Sequence, residues 1–322
     1  MRTISNRREF MKTSGKVVAT GMYASQISTA EAKDTDSEKL IPIIDTHQHL
    51  WDLKEFQLPW LSGVDQLNRS YVMSDYLKAT AGLNVVKAVY MEVDVHPSLQ
   101  VKEAEYVIDL CQRDDNPTVA GVISGRPASD GFASYINQYK DSPYIKGVRQ
   151  VLHPDDVPAG FCLQPSFVRS VRLLGELGMS YDLVMRSDEL NDGASLAAAC
   201  PDTRFILDHC GNPNVQGKDH ANWKRGLDKV AEQKNVICKL SGIVASADPD
   251  NWTADDLAPF INGTIDAFGI DRVIFAGDWP VCTLGATFNQ WVTALKMIVK
   301  SRSERDQHKI FHDNALQFYG LV

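Results

Sequence analysis

The stretch Ile43-Ile44-Asp45-Thr46-His47-Gln48-His49 is a short apolar run that ends in His-x-His. Read as a β-strand, its side chains alternate between faces, so His47 and His49 project to one side about 6–7 Å apart along the chain. Two imidazoles side by side at a strand's end can hold a metal or polarise a substrate oxygen. The stretch also narrows the fold. An open doubly wound sheet usually follows its first strand with a Gly-rich phosphate-binding turn, and no G-x-G-x-x-G occurs in this chain.

Downstream, apolar runs alternate with longer amphipathic segments. Candidate strands are Ile41–His49, Val85–Val93, Thr118–Gly125, Ile145–Leu152, Ser180–Met185, Arg204–Cys210, Val236–Gly242 and Arg272–Asp278. Helical patterns cover Leu99–Asp114, Pro165–Leu177, Glu189–Ala199, Trp223–Gln233 and Ala254–Phe268. In the second of these, Phe167, Val171, Leu174 and Leu177 recur near period 3.6 before Gly178 stops the helix. Eight strands with a helix after most of them is the count for an α/β fold of the (β/α)8 TIM-barrel type. Trp51–Asn68, irregular and placed just after the first strand, is expected to form a loop over the barrel mouth.

The chain has 322 residues, 44% of them hydrophobic and 23% charged, ordinary values for a globular protein. A net charge of −8 without a basic run argues against a nucleic-acid partner. No run of 18 apolar residues exists, so membrane insertion is not expected. The six cysteines form no C-x-x-C pair and several sit in apolar runs, which suits reduced, structural thiols. At the N-terminus, Asn6-Arg7-Arg8-Glu9-Phe10-Met11-Lys12 resembles a twin-arginine export motif. A weakly apolar stretch, Val17–Ile27, follows, and then Ala30-Glu31-Ala32, a small-residue cleavage pattern. Residues 1–32 are therefore expected to be a signal peptide and 33–322 a single barrel domain, periplasmic or secreted. A disordered basic tail is the plainer alternative.

Active sites of barrel enzymes gather at the C-terminal ends of the strands. Those ends carry His47 and His49, Glu92, Arg126, Arg149 with His153, Asp182 with Arg186, His209, Ser241 and Asp278. Singly, any of these could be a solvated loop residue; a ring of them is harder to ascribe to chance. Leu207-Asp208-His209-Cys210-Gly211-Asn212-Pro213 turns the chain out of the barrel after a histidine. Phe275-Ala276-Gly277-Asp278-Trp279-Pro280 ends the last strand in a carboxylate. Such an acid could cap a helix, but opposite three histidines it reads better as a general base.

These motifs, with Asp45-Thr46-His47-Gln48-His49-Leu50-Trp51-Asp52, Pro59-Trp60-Leu61, Ile145-Lys146-Gly147-Val148-Arg149 and the C-terminal Asn314-Ala315 with Phe318-Tyr319, resemble the amidohydrolase-related barrel hydrolases. The similar branch is that of sugar lactonases (L-fuconolactonase, L-rhamnonolactonase) and 2-pyrone-4,6-dicarboxylate lactonase. The resemblance spans nearly all of Ile41–Val322 and implies a metal-dependent-hydrolase-like barrel that opens a small-molecule lactone, of a sugar acid. Asp278 would then be the base, and His209, His47 and His49 would polarise the carbonyl. Arg126, Arg149, His153, Arg186 and Glu92 would bind substrate, and Trp51, Trp60 and Trp279 could stack on a sugar ring or simply pack.

The departures concern the metal. Binuclear relatives carry a carboxylated lysine at the end of strand 4, whereas Lys146 stands at that strand's start. Strand 5 reads Tyr181-Asp182-Leu183-Val184, without the histidine common in mononuclear zinc members. The resemblance thus implies at most one loosely bound zinc or manganese on His47, His49 and Asp278, with His209 a further ligand, or no required metal. A decarboxylase or amide hydrolase on the same barrel, and a non-catalytic periplasmic sugar-binding protein, remain the competing readings. A homo-oligomer is compatible with the sequence.

Overall fold

All eight apolar runs are strands, each somewhat shorter than its pattern, in a computed structural model that describes residues 40–217 and 220–321. The expected signal peptide lies outside these residues. The strands are β1 (Ile43–Gln48), β2 (Val85–Met91), β3 (Thr118–Ser124), β4 (Ile145–Val151), β5 (Ser180–Val184), β6 (Arg204–Leu207), β7 (Val236–Leu240) and β8 (Val273–Phe275). They pair in parallel and in sequence order. The five helices expected from periodicity are Gln100–Cys111, Pro165–Glu176, Leu190–Ala199, His220–Ala231 and Ala254–Phe268. Pro165 opens the second of them where a missing N–H costs nothing, and Phe167, Val171 and Leu174 bury its inner stripe.

Alternation along the strands builds two separate cores. Ile44, Val89, Met91, Ala120, Val122, Ile206 and Ile274 fill the barrel interior, and Ala315, Tyr319 and Leu321 from the C-terminal segment pack against them. Ile43, Ala88, Tyr90, Val148, Tyr181, Phe205 and Leu240 face outward to the helices. The β1–β8 seam closes the barrel with few bonds. One parallel bridge joins Gln48 to Trp279, and His49 N donates to Trp279 O at 2.8 Å. Side chains supply the rest: Thr46 Oγ1 donates to Phe275 O at 2.6 Å, and Asp45 Oδ1 accepts from Gly277 N at 2.7 Å.

The same strand corrects the simple alternation argument. With Ile44 inside, strict period two would send His47 and His49 outward. Between Asp45 and Gln48 the pairing slips, three steps along β1 matching two along β2 (Ala88 to Tyr90). Such an irregularity re-aims the side chains that follow it, and both histidines end up at the barrel mouth. The 51–68 segment does lie over that mouth: Trp60 Nε1 donates to Val93 O at 2.8 Å, and Gln66 reaches Thr283 O. All six cysteines are free, and five of them are buried. Among the described residues no helix is long and apolar enough to cross a membrane.

Candidate active site

A cavity of about 360 Å³ opens at the C-terminal ends of the strands, a size suited to a small molecule. On its floor Asp278 stands among three histidines. Its Oδ1 lies 3.6 Å from His47 Nε2, 3.6 Å from His49 Nε2 and 3.9 Å from His209 Nε2. The two β1 histidines meet at 3.1 Å between Nε2 atoms. His49 Nδ1 is 3.0 Å from Met91 O; a carbonyl only accepts, so that nitrogen carries the proton and Nε2 offers a lone pair to the site. His209 Nδ1 is held by Ser241 Oγ at 2.9 Å, which turns its Nε2 toward Asp278.

Local backbone makes this geometry. Asp278 (φ 55°), His209 (55°), Asn212 (51°) and Asp94 (48°), all lining the cavity, adopt the left-handed conformation that non-glycine residues rarely take, as does Cys210 (53°). Strain of this kind costs of order 1–3 kcal/mol per residue and clusters at functional sites. Gly242 is needed beside His209: with φ +70°, a Cβ there would come within 2.5 Å of the imidazole ring.

Beneath the floor lies a sealed ion network. Lys239 from β7 is fully buried and reaches Asp182 Oδ2 at 2.6 Å, Asp208 Oδ1 at 3.0 Å and His47 Nδ1 at 3.3 Å. Arg149 from β4 donates through Nε to Glu92 Oε1 (2.6 Å), through Nη2 to Glu92 O (2.8 Å) and through Nη1 to Asp208 Oδ2 (3.1 Å). Burial pushes the His47 imidazole well below its ordinary range, and His209 shifts the same way for the same cause. Both are thus neutral at neutral pH. Against the cost of burial, Lys239 and His47 hold the Asp208 carboxyl well below the usual range. Burial alone would also discharge Lys239, yet Asp182 and Asp208 hold it above its ordinary value.

The expected residues divide into those that reach the cavity and those that support it. His49, His209 and Asp278 line the cavity with the buried His47 directly behind them, and His153, exposed, joins the wall. Arg149 lines the floor but is fully engaged by Glu92 and Asp208. Glu92 itself does not line the cavity; it lies at 0% exposure, bound to Arg149, to Ser124 Oγ and to the amide of Asp94. Arg126 stands behind the rim, its Nη2 3.0 Å from Asp94 Oδ1. Arg186 serves a neighbouring hollow, tied to Pro154 O, Val157 O and Glu189. Of the three tryptophans that could stack on a sugar ring or simply pack, two are core residues. Trp51 is packed between Trp60 and Tyr71, and Trp279 between Tyr71 and Tyr76. Trp60 is the tryptophan that lines the cavity.

Sequence alone gives Lys239 and Asp94 no role, and names Asp208 and Asn212 only as members of the motif around His209. For Lys239 a signal existed: a lysine inside the apolar run Val236-Ile237-Cys238-Lys239-Leu240 is out of place unless it is buried and paired.

The donor set fits one small divalent ion. Tetrahedral zinc with bonds of about 2.0–2.1 Å separates its ligand atoms by roughly 3.3–3.4 Å, and the His47, His49 and Asp278 atoms lie 3.1, 3.6 and 3.6 Å apart. His47, His209 and Asp278 form a second acceptable trio. Lys239, and Arg149 Nη1 at 3.1 Å from His47 Nε2, place two fixed cations beside it, which weakens any such site. Among the described residues, His308, His312 and Asp313 also cluster, half-exposed on the C-terminal helical segment.

A parallel eight-stranded barrel thus carries a His/Asp ring at its carboxyl mouth. The family model described as Amidohydrolase matches residues 44–321, and the chain belongs to that family. It is an enzyme, a hydrolase. An L-fucono-1,5-lactonase of Burkholderia multivorans is 26% identical over 293 residues, 86% of this chain and 96% of that protein. An L-rhamnono-gamma-lactonase of Scheffersomyces stipitis is 23% identical, covering 87% and 98%. A solved amidohydrolase of Burkholderia multivorans with bound zinc superposes with a TM-score of 0.77 at 25% identity, over 87% of this chain and 100% of that one.

Proposed function

We propose that the enzyme opens the lactone ring of a sugar acid. The observation that carries this reading is Asp278 Oδ1, placed within 3.6–3.9 Å of three imidazole nitrogens on the floor of a small-molecule cavity. The named lactonases among its relatives support the substrate class. In the proposed reaction water attacks the lactone carbonyl while the Asp278 carboxylate takes its proton. The proton is returned to the ring oxygen as the C–O bond breaks, leaving a hydroxy acid. His209 is neutral; in the tautomer whose Nδ1 accepts from Ser241 Oγ it would present an Nε2–H to the developing oxyanion, a donor of a kind worth about 3 kcal/mol. His47, His49 and Asp278 would hold a divalent ion, which when bound supplies Lewis-acid polarisation of the carbonyl.

The test is a pH-indicator assay of purified protein on a panel of sugar lactones, with and without chelator. Acid release from at least one lactone is expected; none across the panel would sink the reading. Metal content is measured alongside, with His308→Ala/His312→Ala as control for the exposed cluster. At most one weakly held ion per chain is expected at the floor, and two tightly held equivalents there would point to binuclear chemistry.

We further propose export by the twin-arginine route, supported by the sequence pattern at Arg7-Arg8 and Ala30-Glu31-Ala32. Replacing both arginines with lysine should leave the precursor uncut in the cytoplasm, as read by N-terminal sequencing. A mature protein from the native host that still begins at Met1 would refute it.

A further inference from the structure

Above its polar floor the cavity is walled largely by aliphatic side chains, among them Val93, Val151, Val184, Ile243 and Val281. Among the described residues Asp94 is the one carboxylate at the rim, just past the end of β2. Its position is imposed. The backbone takes φ 48°, the amide donates to Glu92 Oε2 at 2.7 Å, and Oδ1 accepts from Arg126 Nη2 at 3.0 Å. Arg126 is itself anchored through Nη1 to Gly125 O at 2.9 Å.

The arginines around the mouth are spoken for. Asp94 neutralises Arg126, Glu92 and Asp208 neutralise Arg149, and Glu189 pairs with Arg186 outside the cavity. A substrate bearing its own carboxylate would therefore meet Asp94 at the rim and Asp278 on the floor, with each of these guanidiniums already taken. A hydroxyl suits the same position, because a carboxylate accepts its hydrogen bond without competition from charge. Discrimination built from repulsion of this kind needs no added attraction for the favoured ligand.

We propose that Asp94, clamped by Arg126, is a specificity determinant that makes the cavity select uncharged, partly apolar lactones and reject carboxylated ones. The proposal rests on the lactone reading for its reaction but not for its charge preference. A deoxy-sugar lactone, with a methyl group for the aliphatic wall and hydroxyls for Asp94, fits this description; a pyrone dicarboxylate does not.

The experiment compares kcat/KM for a neutral 6-deoxyhexonolactone and for 2-pyrone-4,6-dicarboxylate in wild type, Asp94→Asn and Asp94→Asn/Arg126→Gln. Wild type should favour the neutral lactone at least ~100-fold. Asp94→Asn unpairs Arg126 and should reduce that preference at least ~10-fold, chiefly by raising turnover or binding of the dicarboxylate. The double variant, which removes the whole pair, should fall between the two. Circular-dichroism melts establish that each variant is folded.

If no lactone is hydrolysed, the reaction assignment fails while charge selectivity is still decided. Calorimetric binding of a neutral sugar lactam and of the dicarboxylate to the same proteins then provides the ratio. Wild-type preference for the dicarboxylate, or a ratio that Asp94→Asn leaves unmoved, overturns the proposal.

Discussion

Beneath the floor of the cavity, Lys239 and Arg149 are buried among Asp182, Asp208 and Glu92, whereas Arg126 behind the rim and Arg186 at the neighbouring hollow hold Asp94 and Glu189 while partly in solvent. The residue types match and the consequences differ. A buried charge stripped of its partner costs several kcal/mol, so floor residues are fixed in place and fix the histidines above them. A partly exposed pair is worth about 0–1 kcal/mol, so these residues can be exchanged without unfolding the barrel.

The largest effect is expected at the centre of the floor. Asp278→Asn keeps shape and removes the base, so kcat should fall at least ~10²-fold with little change in Tm. An active Asn variant would end the assignment and would leave the floor purely structural. Next is Lys239→Met, which leaves Asp182 buried without its cation and Asp208 with Arg149 alone. A loss of about 3–5 kcal/mol in denaturant unfolding is expected. A loss below about 1 kcal/mol would erase the distinction between floor and rim.

Glu103 sharpens the comparison through pH. It is fully buried beside the network, accepting from the amides of Val93 (2.8 Å) and Ser124 (3.2 Å). Burial first, and then the charge of Glu92, raises its pKa to about 7. The folded state thus keeps a proton that the unfolded chain releases near its ordinary value. This contribution makes stability fall as pH rises from about 4.5 to about 7, by up to roughly 3 kcal/mol, and level off above. Urea titrations of wild type against Glu103→Gln should show the difference between the two shrinking or reversing along that window; a pH-independent difference would contradict it. The smallest effect is Arg186→Gln at the neighbouring hollow. It should cost under about 1 kcal/mol and leave kcat unchanged, and a larger fall in kcat would bring Arg186 into the main site.

The barrel was legible because its signals are local. Apolar runs, period-3.6 stripes and Gly or Pro stops each act within one segment, and the helix Ala254–Phe268 was read to the residue. The converging residues His47, His49, His209, Asp278 and His153 were legible because barrel chemistry collects at strand ends. What escaped were the partners. Nothing near Arg149 in sequence says that Glu92 and Asp208, on β2's end and β6's end, will consume its donors. Nothing near Trp279 says that Tyr71 and Tyr76 will bury it. Even the placement of His47 and His49 comes by a different route, since a slip in the β1–β2 ladder aims them inward where uniform alternation would not.

The β1–β8 seam ties this enzyme's competence to its most sparsely bonded joint. His47 and His49 sit on one lip and Asp278 on the other. The lips are held by one bridge, the His49 amide and two side-chain hydrogen bonds from Thr46 and to Asp45. Parting that joint by an ångström would separate Asp278 from His47 and His49 while seven other strand pairings persist. Turnover is therefore a more sensitive gauge of the barrel's integrity than any spectroscopic probe of its bulk. In mild urea, catalysis should fade while ellipticity holds. For anyone re-cutting the chain into a circular permutant, this joint is the last place to open it.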